Sequence, residues 1–271
     1  MHNSTLGGLI KDYRTQKGIS QLDIAFALGW KETSRLSRIE QGRMEKPSRE
    51  LVDKIIEAIG LKEEEKNTLL LTGGYLPNET EIIKVKEAVN KTLQEWPYPA
   101  GMIDFSWRLI DGNDHINDLF HLPPGIKKNI YKSEVRVLDL IFNDSLQKTK
   151  LNDIENPKMV MFMRSVLMEF KYEQRHRTKE KWYIEHIRKL MNYEIFRTLW
   201  VQTKARDEEN IILGKYSTKT FQNPQDPSKL LRFYIFVVPV LQDPRFEVEL
   251  HTPIDLETYR FYEDLNPKLS K

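Results

Sequence analysis

The chain has 271 residues, enough for one large or two ordinary domains, and sets 42 basic against 40 acidic residues for a formal charge of +2. That balance excludes a global pull toward nucleic acid or anionic lipid, so any DNA affinity must come from a local patch. Cysteine is absent, which removes disulfides, thiolate metal sites and cysteine nucleophiles together and fits a reducing compartment.

The opening residues MHNSTLGG lack the basic-then-apolar pattern of a secretory signal, and no apolar run approaches the ~20 residues of a bilayer span. A cytoplasmic chain with no membrane partner is expected. Leu6, Leu9, Ile10 and Tyr13 are spaced for a first helix that Gly18 closes. Ser20 then caps a second helix whose buried face is Ile24, Ala25 and Leu28, and Gly29 ends it. Thr33 restarts the chain, with Leu36 and Ile39 pointing inward and Thr33, Ser34, Arg35, Ser37 and Arg38 on the remaining surface. Two short helices joined by a tight turn, with small Ala25 where they cross, read as a helix-turn-helix. Pro47-Ser48 opens a further helix with Leu51, Ile55, Ile56 and Ile59 on one stripe, ended by Gly60, and KEEEKNTLLLTGGY adds a short fifth.

The stretch SQLDIAFALGWKETSRLSRIEQGRMEKPS resembles the phage-repressor-like helix-turn-helix regulators, the XRE family. The resemblance implies that residues 32–41 lie in the major groove of a double-stranded DNA operator. It places base contacts at Thr33, Ser34 and Arg38 and phosphate contacts at Gln21, Arg35 and Arg43. Between residues 31 and 49, six basic side chains (Lys31, Arg35, Arg38, Arg43, Lys46, Arg49) meet three acidic ones (Glu32, Glu40, Glu45). So modest a surplus predicts salt-sensitive binding by two copies, hence a homodimer.

Pro77-Asn78 marks a boundary, and residues 80–96 form a connecting helix with Ile82, Val85, Val89 and Leu93 on a narrow stripe. The stripe either packs on its own second domain or meets the same helix of another subunit. The expected organisation is therefore residues 1–77 as the DNA-binding domain, 78–98 as the connector and 99–271 as a second domain.

That second domain opens with a strand at Met102, Ile103 and Phe105, a reversal at Ser106, and a second strand at Trp107, Leu109 and Ile110 ending on Asp111-Gly112. Asn113 caps a helix running to Phe120. Residues 157–172 form a helix with Met159, Phe162, Met163, Val166, Leu167 and Phe170 on one wide face. Residues 175–189 are basic but interrupted by Trp182, Tyr183, Ile184 and Ile187, which reads as a solvated face over a buried aromatic side. His176 and His186 show no metal-ligand spacing, since Glu185 and His186 diverge on a helix and no HExxH occurs. Strands follow at 210–221, 229–241 and 245–252. In the last, Phe246, Val248 and Leu250 are expected inward and Glu247, Glu249 and His251 toward water or a partner. The fold class expected is multidomain, α then α+β: a bundle of about five helices followed by an antiparallel sheet of about five strands covered by helices.

The proline-containing opening of this domain, its strand and apolar reversal, its Asn113 cap, and later NYEIFRTLWVQT with Phe196 and Trp200, resemble the MmyB-like ligand-binding domain. The resemblance implies a PAS-like sensor behind an XRE-type head.

Met163, Leu167 and Phe170 on one helix, Phe196 and Trp200 on another, and Phe233, Ile235 and Val237 on a strand would converge if the helices cover the sheet. That wall carries no charge, so a small apolar ligand is expected, a fatty acid first, with its head group at Arg232 or Tyr234. No nucleotide-binding loop, nucleophile elbow or paired carboxylate motif is present, so no enzyme, no catalytic residue, no cofactor and no metal are expected. The expectation is a transcriptional regulator whose second domain modulates DNA binding through that ligand. The alternative is an antitoxin-like or repressor protein whose second domain is a protein-interaction module.

Overall fold

The structure of the protein, a computed structural model, describes residues 5–127, 129–143, 146, 157–205, 216–226 and 228–265. It forms two compact units, Met1–Pro77 with Val240–Arg245, and Asn78–Pro239 with Phe246–Lys271.

The first unit is built from helices α1 (Leu6–Gln16), α2 (Gln21–Ala27), α3 (Ser34–Glu40), α4 (Arg49–Ile59) and α5 (Glu63–Thr72). Their apolar stripes close on one core of Ile10, Ile24, Leu36, Ile39, Val52, Ile55, Ile56, Ile59, Leu69 and Leu70. Ser20 starts α2 with a reciprocal cap: its Oγ accepts from Asp23 N (3.1 Å) and Asp23 Oδ2 accepts from Ser20 N (2.9 Å). Gly29 stops α2 in the left-handed region (φ +71°), and Trp30 N closes the helix by donating to Ala25 O at 2.8 Å. The second helix of the motif is shorter than expected: Thr33 takes the N-cap position and the helix itself ends at Glu40.

The second unit opens with α6 (Glu79–Glu95), whose Asn78 cap accepts from Glu81 N at 2.9 Å. Val85 and Leu93 are buried, the helix packs on the first two strands, and Lys86 pairs with Asp111 at 3.0 Å. Val85 and Leu93 of the expected stripe thus face the helix's own unit, while Ile82 and Val89 are half-buried.

The strands β1 (Ala100–Asp104), β2 (Leu109–Gly112), β3 (Tyr216–Gln222), β4 (Leu230–Pro239) and β5 (Phe246–Pro253) form one antiparallel sheet in the order β2-β1-β5-β4-β3. The last strand thus lies in the middle, with Ala100 opposite Leu250 on one side and Phe236 opposite Leu250 on the other. Residues 210–215 of the expected third strand lie outside the described residues; the described part of the strand is Tyr216–Gln222.

Around the sheet stand α7 (Asp114–Leu119), α8 (Pro124–Lys127), a 3-10 turn (Ile130–Lys132), α9 (Val137–Phe142), α10 (Pro157–Glu173), α11 (Lys181–Leu190), α12 (Glu194–Gln202) and α13 (Leu256–Leu265). Ile116 and Leu119 of α7 and Tyr262 of α13 pack on Leu231, Phe233 and Ile235 of β4 and Phe221 of β3. Asn113 ties the first hairpin to its helix, its Oδ1 accepting from Ile116 N (3.0 Å) and Ala100 N (3.1 Å) while its Nδ2 donates to Tyr98 O at 2.8 Å. In α11, Trp182, Tyr183 and Leu190 are buried beneath a basic outer side. On the other face of β4, Tyr234, Phe236 and Val238 stay exposed.

Candidate nucleic-acid interface and candidate ligand cavity

In the first unit, the packing of α3 depends on a carboxylate. Glu40 is almost fully buried, yet its Oε1 accepts from Arg14 Nε at 2.6 Å, and its Oε2 accepts from Arg14 Nη2 (3.1 Å) and Gln21 Nε2 (2.7 Å). One side chain of α3 therefore ties down α1 and α2 together, and Arg14 Nη1 also donates to Ile19 O (2.7 Å). Gly7 allows α1 to approach α3 closely, since a Cβ there would sit 2.8 Å from Glu40 O and closer still to Ile39 O.

The residues expected to touch DNA fall into two groups. Arg38 and Arg43 are exposed, and among the described residues neither guanidinium has a hydrogen-bond or ion-pair partner. Both are free to reach a polyanion. Arg35 is exposed too, with its guanidinium 4.8 Å above the Trp30 ring, a stacking partner that spacing along a helix does not reveal. Ser34 Oγ donates to Glu32 Oε1 at 2.6 Å, Thr33 is half-buried at the helix start, and the Gln21 amide is held by Glu40.

The second unit holds a half-open cavity of about 70 Å³ between the sheet and its helices. Its apolar wall is Ile103, Trp107, Phe120, Val137, Ile141, Phe162, Val166, Phe221, Ile235 and Val237. Its polar wall is Glu169 and Glu173 of α10, Lys219 of β3, and Glu247, Glu249 and His251 of β5. A wider cleft of about 440 Å³ along β3, lined among others by Met159, Ser165, Thr220 and Arg232, shares Phe162, Lys219 and Phe221 with it.

Most of these charges are matched. Lys219 Nζ lies 3.3 Å from Glu169 Oε2 and donates to Ser165 Oγ at 3.3 Å. Trp107, held with φ +63° in the β1–β2 turn, donates from Nε1 to Glu173 Oε2 at 2.8 Å. Burial pulls the Arg177 guanidinium below its usual range, while Glu173, Glu180 and Glu247 oppose that pull. Glu249 is half-buried and makes no hydrogen bond or ion pair among the described residues. Burial foremost, and then the charges of Glu169, Glu247 and Glu173 against that of Lys219, raise its carboxyl to about 7. His251, 1% exposed and set between the rings of Phe221 and Phe233, has no partner at Nδ1 or Nε2, and burial drives it down to about 3.

Of the expected ligand residues, Ile235 and Val237 reach the cavity. Met163, Leu167, Phe170, Phe196 and Phe233 are instead fully buried packing. Phe170 meets Trp107 edge-on at 5.2 Å and stacks on Tyr183 at 5.9 Å; Phe196 meets Phe142 at 5.1 Å and stacks on Trp200, which Lys171 covers at 4.1 Å. The expectation of a wall without charge is corrected by the four glutamates. So is the orientation of β5, because both of its faces are covered: Phe246 and Val248 are buried on one side while Glu247, Glu249 and His251 line the cavity on the other. Alternation identifies two faces, but when both are shielded from water it does not say which one meets the helices.

Among the described residues, no cluster of three or more His, Asp or Glu side chains is arranged to hold a metal ion, and no helix is long and apolar enough to cross a membrane. Residues 5–69 match a family model described as a helix-turn-helix domain, and the chain carries that domain over α1 to α5. No curated protein matches the chain.

Proposed function

We propose, from the helix-turn-helix domain at residues 5–69, that this protein is a sequence-specific DNA-binding transcription regulator whose second unit binds a small molecule that alters DNA affinity. The observation that carries the reading is the pair Arg38 and Arg43, exposed and unengaged on the second helix of the motif and just beyond it, over a framework fixed by Glu40. In the XRE-type arrangement Arg38 reads a base in the major groove and Arg43 a phosphate. Two copies on adjacent half-sites supply the phosphate contacts that one modestly basic head lacks. The five-stranded antiparallel sheet with helices over a cavity supports a PAS-like, MmyB-type sensor.

Selection of binding sites from a random duplex pool with the full-length protein tests the reading. A recurrent, two-fold symmetric site protected from cleavage is expected. Salt-sensitive binding that enriches no sequence would sink it. The exposed strip of Tyr234, Phe236 and Val238 favours a second reading, in which the second unit grips a protein partner.

A further inference from the structure

The cavity of the second unit holds two groups that its own packing leaves unanswered. Glu249 and His251 stand two residues apart on β5 and so on the same face of the central strand. Opposite them across β4 stand Val237 and Ile235, which offer neither donor nor acceptor. His251 is buried with both ring nitrogens unpartnered, a costly arrangement unless something in the cavity completes it. The other three glutamates and Lys219 already have partners or facing charges, so the deficit is local: one carboxylate lacking a donor and one neutral imidazole able to accept.

We propose that this cavity binds a small organic cation, a primary amine on an apolar body, with its ammonium group shared between the Glu249 carboxylate and the His251 ring. An ammonium brings three donors and a positive charge to a site with four carboxylates, and the apolar body extends past Phe162 and Phe221, which this cavity shares with the wider cleft along β3. A fatty acid would bring a fifth negative charge to the same place. The inference rests on the reading of the second unit as a small-molecule site and narrows it to one ligand class.

The test uses the full-length protein and three probes of similar shape: 2-phenylethylamine, 2-phenylethanol and phenylacetate. Titration calorimetry at pH 7 is expected to show saturable binding of the amine, at least about tenfold tighter than either control. Binding should release protons, because Glu249 is partly protonated in the empty cavity at that pH and must ionise to meet the ammonium. The released protons are read from the dependence of the heat on buffer ionisation, a wild-type measurement that needs no variant. Glu249→Gln, close to the same shape, should weaken the amine by about tenfold or more and abolish the proton release. Tighter binding of phenylacetate than of the amine overturns the ligand class and leaves the sensor reading standing. Absence of binding by all three overturns the inference, while operator selection judges the DNA-binding reading separately. Equal amine affinity in folded Glu249→Gln overturns the assignment to this carboxylate.

Discussion

Arg14 and Glu40 meet across 26 residues in a two-pronged ion pair, Nε to Oε1 at 2.6 Å and Nη2 to Oε2 at 3.1 Å, with the carboxylate side chain almost wholly enclosed. A charge this enclosed is tolerable because Gln21 Nε2 supplies a third donor. Glu40→Ala leaves a largely buried guanidinium without its anion. The expected loss is about 3 kcal/mol, with DNA binding falling because α3 is no longer tied to α1 and α2. Urea denaturation of the full chain measures it, and a midpoint unchanged from wild type would remove Glu40 from this role.

On the proposed reading the two outward arginines differ in what they contact. Arg38→Ala is expected to lose about 1 to 3 kcal/mol of discrimination at one base pair while binding other sequences almost as before. Arg43→Ala should weaken every sequence alike and flatten the salt dependence by about one phosphate contact. Competition binding with operator and scrambled duplexes at several salt concentrations resolves the two patterns. Uniform loss in both variants would refute the base-reading role of Arg38.

Assembly on DNA follows from the same charges. Six basic against three acidic residues between positions 31 and 49 is a thin supply of phosphate contacts for one head. Sedimentation with a selected operator is expected to show two chains per duplex, with half-sites about one helical turn apart. A tight one-to-one complex on an isolated half-site would contradict this.

Stability should fall on mild acidification, for reasons inside the second unit. Burial lowers His251 to about 3 and His186 to about 4, the latter despite Asp139 nearby, so both are neutral in the folded chain at pH 5. Unfolded imidazoles take up protons below about 6.5. The unfolded state therefore binds more protons between about pH 6.5 and 4, and stability drops as pH falls through that window. Glu249, raised to about 7, acts in the opposite sense: its folded state holds the extra proton between about pH 4.5 and 7, and its contribution is lost as pH rises. Two histidines outweigh one glutamate. His251→Leu should reduce the slope of stability against pH between 5 and 6 by about 1.4 kcal/mol per pH unit, read from urea midpoints. An unchanged slope would show that His251 is not held neutral.

What the sequence made legible was short-range. The Ser20 cap, the Gly29 stop, the Asn113 cap and the spacing of Leu36 and Ile39 are decided within one or two helical turns, and the structure contains each of them. The reason for Glu40 was not legible, because its partners lie 26 and 19 residues away. Apolar periodicity identified Met163, Leu167 and Phe170 as facing inward but could not separate solid packing from cavity wall, which depends on how α10, α12 and the sheet meet. The charged lining was hidden by the rule that charges face water. A strand covered on both sides breaks that rule only when something inside answers the charge.

The strand order has a consequence in time. β1 is paired on one side by its neighbour in sequence and on the other by β5, with Ala100 joined to Leu250. That closure spans about 150 residues and sets a high entropic threshold, whereas α1 to α5 assemble mainly from neighbours in sequence. During synthesis the helical head can therefore fold while the sheet still lacks its central strand. Glu249 and His251 arrive on that strand, so the cavity forms only after α1 to α5 and most of the chain have been made. A newly made chain should be able to hold DNA before it can sense anything.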